Sequence, residues 1–183
     1  MKVLTMATAL LTGFGALGAA SKPAPAADAP SFTFVSIEGG TIDTADFRGH
    51  PVLVVNTASL CGFTPQLGGL QKLHEEFGPK GLVVLAVPSD DFKQELDNAK
   101  EVSEFCTLTY GITLPMTDIT HVKGEAAHPF YKWVKSQTGF VPRWNFNKVL
   151  LDGTGNVVDT WGSLTPPGAD AIRDAIVPLL PGA

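Results

Sequence analysis

The chain has 183 residues, 44% of them apolar and 17% charged, with a formal net charge of −5. That length carries one domain with a sizeable core, and 13 scattered basic residues against 18 acidic ones give no electrostatic footprint for nucleic acid. Two cysteines, Cys61 and Cys106, are too few for a disulfide framework, so a redox role stands beside a structural one.

Met1–Ala20 has a lysine at position 2, then an uncharged run of Leu, Ala, Thr and Gly ending in small residues. This reads as a secretory signal peptide, with cleavage after Ala20 or as late as Ala26. The run is short and glycine-rich for a membrane span of about 20 apolar residues, so the expectation is an exported, periplasmic protein with no stable membrane insertion after cleavage. Removal of Lys2 leaves 12 basic against 18 acidic residues, a charge of −6. Residues 21–30, SKPAPAADAP, form a Pro/Ala linker, and residues 31–183 form the domain.

Ser31–Glu38 alternates polar and apolar residues and predicts an early strand or hairpin arm, turned by Gly39-Gly40, with Thr41–Gly49 as a loop. Val52–Val55 is an uninterrupted apolar run that suits a strand buried on both faces. Asn56–Ser59 then read as loop, Cys61-Gly62 follows, and Leu67, Leu70, Leu73 and Phe77 give helical spacing from Gln66 to Phe77. Cys61 thus lies between a strand's carboxyl end and a helix, where unpaired N–H groups and the helix dipole favour a thiolate. The competing reading of Cys61 is a small buried hydrophobe.

Leu82–Val87 predicts the next parallel strand, completing a strand–helix–strand crossover. Glu95–Leu108 has apolar positions three and four apart, an amphipathic helix carrying Cys106 near its end. Ile112–Met116 is short and contains Pro115; His128–Ser136 repeats helical spacing. Asn147–Leu151 and Val157–Trp161 flank Asp152–Asn156 as an antiparallel pair, and a last helix runs from about Gly168 towards Pro178. This order predicts an α/β, thioredoxin-like fold with a central mixed β-sheet flanked by helices. Pattern alone permits a peroxidase, a thiol–disulfide oxidoreductase or a non-catalytic binding domain. Thr64 in Cys61-Gly62-Phe63-Thr64 counts against a Cys-x-x-Cys site, and His50, His74, His121 and His128 show no metal-ligand spacing.

Four strings in order, VVNTASLCGFTPQ, LAVPSDDFKQE, EFCTLTYGITLPM and RWNFNKVLLDGTG, resemble the cysteine-containing, non-selenium form of the glutathione peroxidase family from about Phe34 to Leu180. The resemblance implies a thiol peroxidase acting on hydrogen peroxide and organic hydroperoxides, with no cofactor. Cys61 matches the peroxidatic position, and Trp144 and Asn145 match the family's Trp-Asn pair, whose indole and amide N–H groups can donate to a thiolate.

Where the family usually places a Gln before a Phe, Asp91 precedes Phe92. An ionised Asp only accepts, and its charge would oppose a thiolate. Either Asp91 points away and a backbone N–H donates, or Gln94 reaches the site, or activation is weaker; the first is the preferred expectation. Cys106 matches the resolving cysteine of thioredoxin-dependent members, which would close an internal disulfide; its competing reading is a packed helical cysteine. The chain between Met116 and Trp144 is short, which favours a monomer, and no arginine cluster suggests a glutathione surface. A thioredoxin-like or other thiol reductant is the expected partner.

Overall fold

The computed structural model describes residues 29–182. The expected leader, and positions 21–28 of the expected linker, lie outside them. Ala29, the linker's ninth position, is already buried, with its N–H donating to the Thr154 carbonyl and its own carbonyl accepting from Arg48.

The chain opens with a hairpin of β1 (Thr33–Val35) and β2 (Thr41–Asp43), paired antiparallel around Gly39 and Gly40. Both glycines have positive φ, which L side chains rarely adopt. The segment expected as loop after Gly40 therefore begins with a strand. Asp43 then caps a 3-10 turn at Thr44–Phe47 by accepting the Ala45 N–H.

β3 (Val52–Thr57) is buried along its whole length. α1 (Gln66–Phe77) and β4 (Val83–Pro88) complete a crossover, with β4 parallel to β3 and Val54 opposite Leu85. α2 (Ala99–Tyr110) starts four residues later than the periodicity predicts, because Asn98 is its cap, accepting the Glu101 N–H at 3.0 Å. Left-handed Gly111 ends it, its N–H and that of Ile112 closing onto the Thr107 and Cys106 carbonyls. α3 (Pro129–Thr138), β5 (Lys148–Leu151), β6 (Val157–Trp161) and α4 (Asp170–Ile176) follow.

The sheet order is β4-β3-β5-β6, parallel between β3 and β4 and antiparallel elsewhere. This mixed sheet with helices on both faces is a thioredoxin-like fold. Alternation explains the unbroken apolar run of β3. Leu53 and Val55 enter one core with α1, α2 and α4; Val52 and Val54 enter the other with Phe34 of the hairpin and Phe130 and Val134 of α3. The segment with Pro115 lies along β4, bridging Met116 to Ala86 and Thr117 to Ser36, and so joins the hairpin to the sheet's edge. Among the described residues no helix is long and apolar enough to cross a membrane.

Phe130 is fully buried, with its ring against Phe32, Phe34 and Tyr131 at centroid distances of 5.6, 5.9 and 5.1 Å. Phe130→Ala is expected to cost about 3–5 kcal/mol, read as a lower urea midpoint at unchanged slope. A loss under about 1 kcal/mol would mean that the hairpin and α3 do not share the cooperative core.

Candidate active site

The carboxyl ends of β3 and β4 bring together three loops. The first carries Cys61. After β3 the chain turns through residues 58–65, and Thr64 sets the turn: its hydroxyl accepts the Cys61 N–H at 3.0 Å and lies within hydrogen-bond distance of the Ala58 and Cys61 carbonyls. Cys61 is 7% exposed, and the Phe63 N–H donates to its Sγ at 3.4 Å.

The second loop carries Trp144 and Asn145, and Asn56 holds it. Asn56 and Thr57, expected as loop, extend β3, and Asn56 is 1% exposed. Its Nδ2 donates to the Trp144 carbonyl at 3.0 Å, its Oδ1 accepts the Asn147 N–H at 3.0 Å, and its carbonyl accepts the Phe146 N–H at 2.6 Å. Phe146 has φ 61, a left-handed conformation uncommon for a bulky residue. Trp144 remains 40% exposed, its ring 5.4 Å from that of Phe92.

The third loop contains Asp91, Gln94 and Glu95. Asp91 is turned out of the site: its carboxylate accepts from Val122 N–H at 2.6 Å and Lys123 N–H at 3.1 Å, and pairs with His121 Nδ1 at 2.7 Å. Burial opposes its charge, but those partners together hold the carboxyl below its ordinary value. Gln94 takes the inward place. Its Oε1 accepts from Asn145 Nδ2 at 3.1 Å, and its carbonyl accepts the Leu60 N–H at 2.9 Å. Its own amide N–H groups are thereby left for another acceptor. Asp91 thus points away, the preferred expectation, while Gln94, the alternative expected to reach the site, bonds to Asn145.

Cys106 lies on α2, 3% exposed, in the same core as Cys61, and the two are not joined in a disulfide. Burial, then the nearby Glu95 charge, push its thiol up to about 12.

Two polar residues escape the sequence reading. Glu95, assigned there to the first turn of the helix, is instead buried beside the Cys61 turn, its Oε1 accepting the Ser59 N–H at 2.9 Å. Lys148 is fully buried on β5, donating to Gln66 Oε1 at 2.5 Å and the Thr165 carbonyl at 2.6 Å, and burial alone lowers it to about 8. Through Gln66 Nε2, which donates to the Ser163 carbonyl, it fixes the start of α1 to residues 163–165. A lysine opening an otherwise apolar strand was the available signal. Beside Trp144 an open groove of about 960 Å³ is lined by Phe63, Phe140, Arg143 and Leu164 among others.

Residues 30–135 match the family model for glutathione peroxidase. The chain belongs to the glutathione peroxidase family. Similar proteins include a glutathione peroxidase of Lactococcus lactis, 40% identical over 142 residues, covering 74% of this chain and 90% of that one. The hydroperoxy fatty acid reductase gpx1 of Synechocystis is 38% identical over 147 residues, covering 74% and 87%. Saccharomyces cerevisiae glutathione peroxidase-like peroxiredoxin 2 is 40% identical over 138 residues, covering 72% and 85%. Among solved structures, Trgpx in apo form superimposes with a TM-score of 0.63 at 31% identity over 82% of this chain and 96% of that one. A thioredoxin-family thiol:disulfide interchange protein of Chlorobium tepidum, TM-score 0.62 at 18% identity over 87% of this chain and 99% of that one, shows the shared thioredoxin fold. Family membership makes this protein a thiol peroxidase, an oxidoreductase.

Asn56→Ala removes two buried side-chain bonds, with an expected cost of about 2–4 kcal/mol in denaturant unfolding and a fall in peroxidase activity; full activity would mean that the Trp144–Asn147 bend holds itself. Asp91 supplies a pH test. Its depressed folded-state value gives stability that is present above the ordinary carboxyl value of 3.8 and lost as pH falls through the lowered value. Asp91→Asn is therefore expected to cost about 1–3 kcal/mol at neutral pH, with the gap to wild type closing in urea titrations taken below about pH 4. A gap independent of pH would remove the carboxylate's charge from the account.

Proposed function

We propose that this thiol peroxidase reduces hydrogen peroxide and organic hydroperoxides at Cys61. The observation that carries the reading is the convergence, at the carboxyl edge of the sheet, of Cys61 with the bonded set Gln94–Asn145 and the adjoining Trp144. The Cys61 thiolate attacks the terminal peroxide oxygen; the O–O bond breaks, water or an alcohol leaves, and the sulfur becomes a sulfenic acid. The Phe63 N–H is already on the sulfur, and the Trp144 indole and the free Gln94 amide supply the remaining donors for the reacting sulfur and the departing oxygen. The groove beside Trp144 offers apolar surface for the organic part of a hydroperoxide. The name of the Synechocystis relative, a hydroperoxy fatty acid reductase, supports that substrate class.

Cys106 then attacks the sulfenic acid, an internal disulfide forms, and a thioredoxin-like dithiol reduces it. Burial of both cysteines in one core supports this resolution, as do the relatives named peroxiredoxins. A disulfide needs Cα atoms within about 7 Å, so α2 is the element that yields. The enzyme acts as a monomer in an exported compartment, its leader residues directing it there.

Intact mass and thiol counting after one equivalent of peroxide test this scheme on wild type, Cys61→Ser and Cys106→Ser. The expected results are a loss of about 2 Da with both thiols consumed in wild type, and a trappable sulfenic acid in Cys106→Ser. A Cys61 thiol that survives for seconds would overturn the peroxidatic role. Oxidation of wild-type Cys61 to sulfinic acid would keep that role and remove Cys106 from the cycle.

A further inference from the structure

Leu164 stands exposed on a backbone that is held on both sides. Its own exposure is 86%, yet Ser163 before it is buried. The Ser163 hydroxyl donates to the Asn145 carbonyl at 2.6 Å and accepts from Asn147 Nδ2 at 3.3 Å, and its carbonyl accepts from Gln66 Nε2 at 2.7 Å. On the other side the Thr165 carbonyl accepts from the buried Lys148 Nζ at 2.6 Å, and the Thr165 N–H closes a turn onto the Gly162 carbonyl at 3.2 Å. Pro166 and Pro167 follow with fixed φ, and Pro167 lies against Gly69 of α1. A single exposed apolar side chain is ordinary by itself. Leu108 on α2 is 83% exposed and stands apart from the groove beside Trp144. Leu164 differs, because it lines that groove, of about 960 Å³, together with Phe63, Phe140, Val141 and Trp144.

Phe63 brings the groove to the reacting sulfur, since its N–H is the donor on Cys61 Sγ. Arg143 is the one charged side chain in the lining; the rest is aromatic, aliphatic or small and polar, a surface suited to hydrocarbon. We propose that Leu164 is a specificity-determining residue, the contact by which the groove holds the organic substituent of a hydroperoxide while its O–O group meets Cys61. This rests on the peroxidase reading above and names the residue by which the enzyme tells organic substrates from hydrogen peroxide. An apolar substituent seated there covers the leucine and leaves water. Hydrogen peroxide has no substituent and gains nothing from the contact. Because the backbone on both sides of Leu164 is already fixed, closing the contact costs side-chain freedom alone.

The experiment is single-turnover consumption of peroxide by the reduced protein in excess, with residual peroxide measured after rapid quench. That reads the first step alone and does not depend on how the sulfenic acid is resolved. Hydrogen peroxide and cumene hydroperoxide are compared for wild type, Leu164→Ser, Leu164→Met and, as a matched exposed leucine elsewhere, Leu108→Ser. In Leu164→Ser the ratio of the cumene hydroperoxide rate constant to that for hydrogen peroxide is expected to fall about 10-fold, the worth of a lost apolar contact in a substrate site. Leu164→Met keeps the apolar surface and holds the ratio within about twofold of wild type, as does Leu108→Ser. A Leu164→Ser ratio equal to that of wild type overturns the proposal, whether the two rate constants stay put or fall together. An equal fall in Leu164→Met or in Leu108→Ser does so too, because neither removes apolar surface from the groove. Wild type that consumes hydrogen peroxide and leaves cumene hydroperoxide untouched also overturns it, while keeping Cys61 as the peroxidatic residue. Wild type that consumes neither brings down the peroxidase reading and this inference together.

Discussion

The site depends on the grip of Asn56 on the bend before β5. A strand exit and a distant loop have no intrinsic reason to stay in register. One side chain at the end of β3 meets the Trp144 carbonyl and the Asn147 N–H, and its backbone carbonyl meets the Phe146 N–H. These bonds hold Phe146 in a left-handed conformation that its side chain disfavours. They also set Trp144 and Asn145 at a fixed distance along the backbone from the turn that bears Cys61. Because Asn56 is buried, each bond replaces one that water would otherwise make, and a misplaced bend would leave buried polar atoms unpaired.

The loop after β4 solves a different problem, that of placing a partly buried carboxylate among donors. Asp91 stands where a donor is usual in the family, and the chain around it is turned by Lys93 in a left-handed conformation at φ 58. That turn sends Asp91 outward onto the N–H groups of Val122 and Lys123 and onto His121, and brings Gln94 inward onto Asn145. The outward carboxylate ties down the segment before α3. The inward amide oxygen accepts from Asn145 and ties this loop to the bend before β5. One backbone turn therefore sets the directions of both side chains.

Much of this architecture was legible in the residues, and the limits are physical. The bounds of α1 followed from the spacing of Leu67, Leu70, Leu73 and Phe77, and the doubly buried strands followed from runs with no polar interruption, because periodicity reports burial directly. Asn56 was misread as loop because a polar residue inside a strand is explained only by its long-range partners at 144–147, which no local pattern reveals. The start of α2 was misplaced for a related reason. Leu96 fits the helical spacing, yet Glu95 is engaged by Ser59 from another loop, and the cap at Asn98 decides the boundary. β2 was missed since only three residues pair and none is fully buried. The likeness of four strings to one family located Cys61, Trp144 and Asn145; it could not say which of Asp91 and Gln94 faced the site.

The contrast between the two cysteines gives the proposed cycle its order. Both thiols belong to one core, but their surroundings differ in what they offer a sulfur. Cys61 sits in a turn at the carboxyl end of β3 with a backbone N–H on Sγ, two residues before Phe63, which lines an open groove. Cys106 sits inside a helix, pushed up to about 12 by burial and by the Glu95 charge. A protonated thiol is a poor nucleophile, so Cys106 does not compete for peroxide. In the proposed cycle it reacts only when an electrophilic sulfur stands within reach. In that cycle burial holds the second cysteine back until the first has been oxidised.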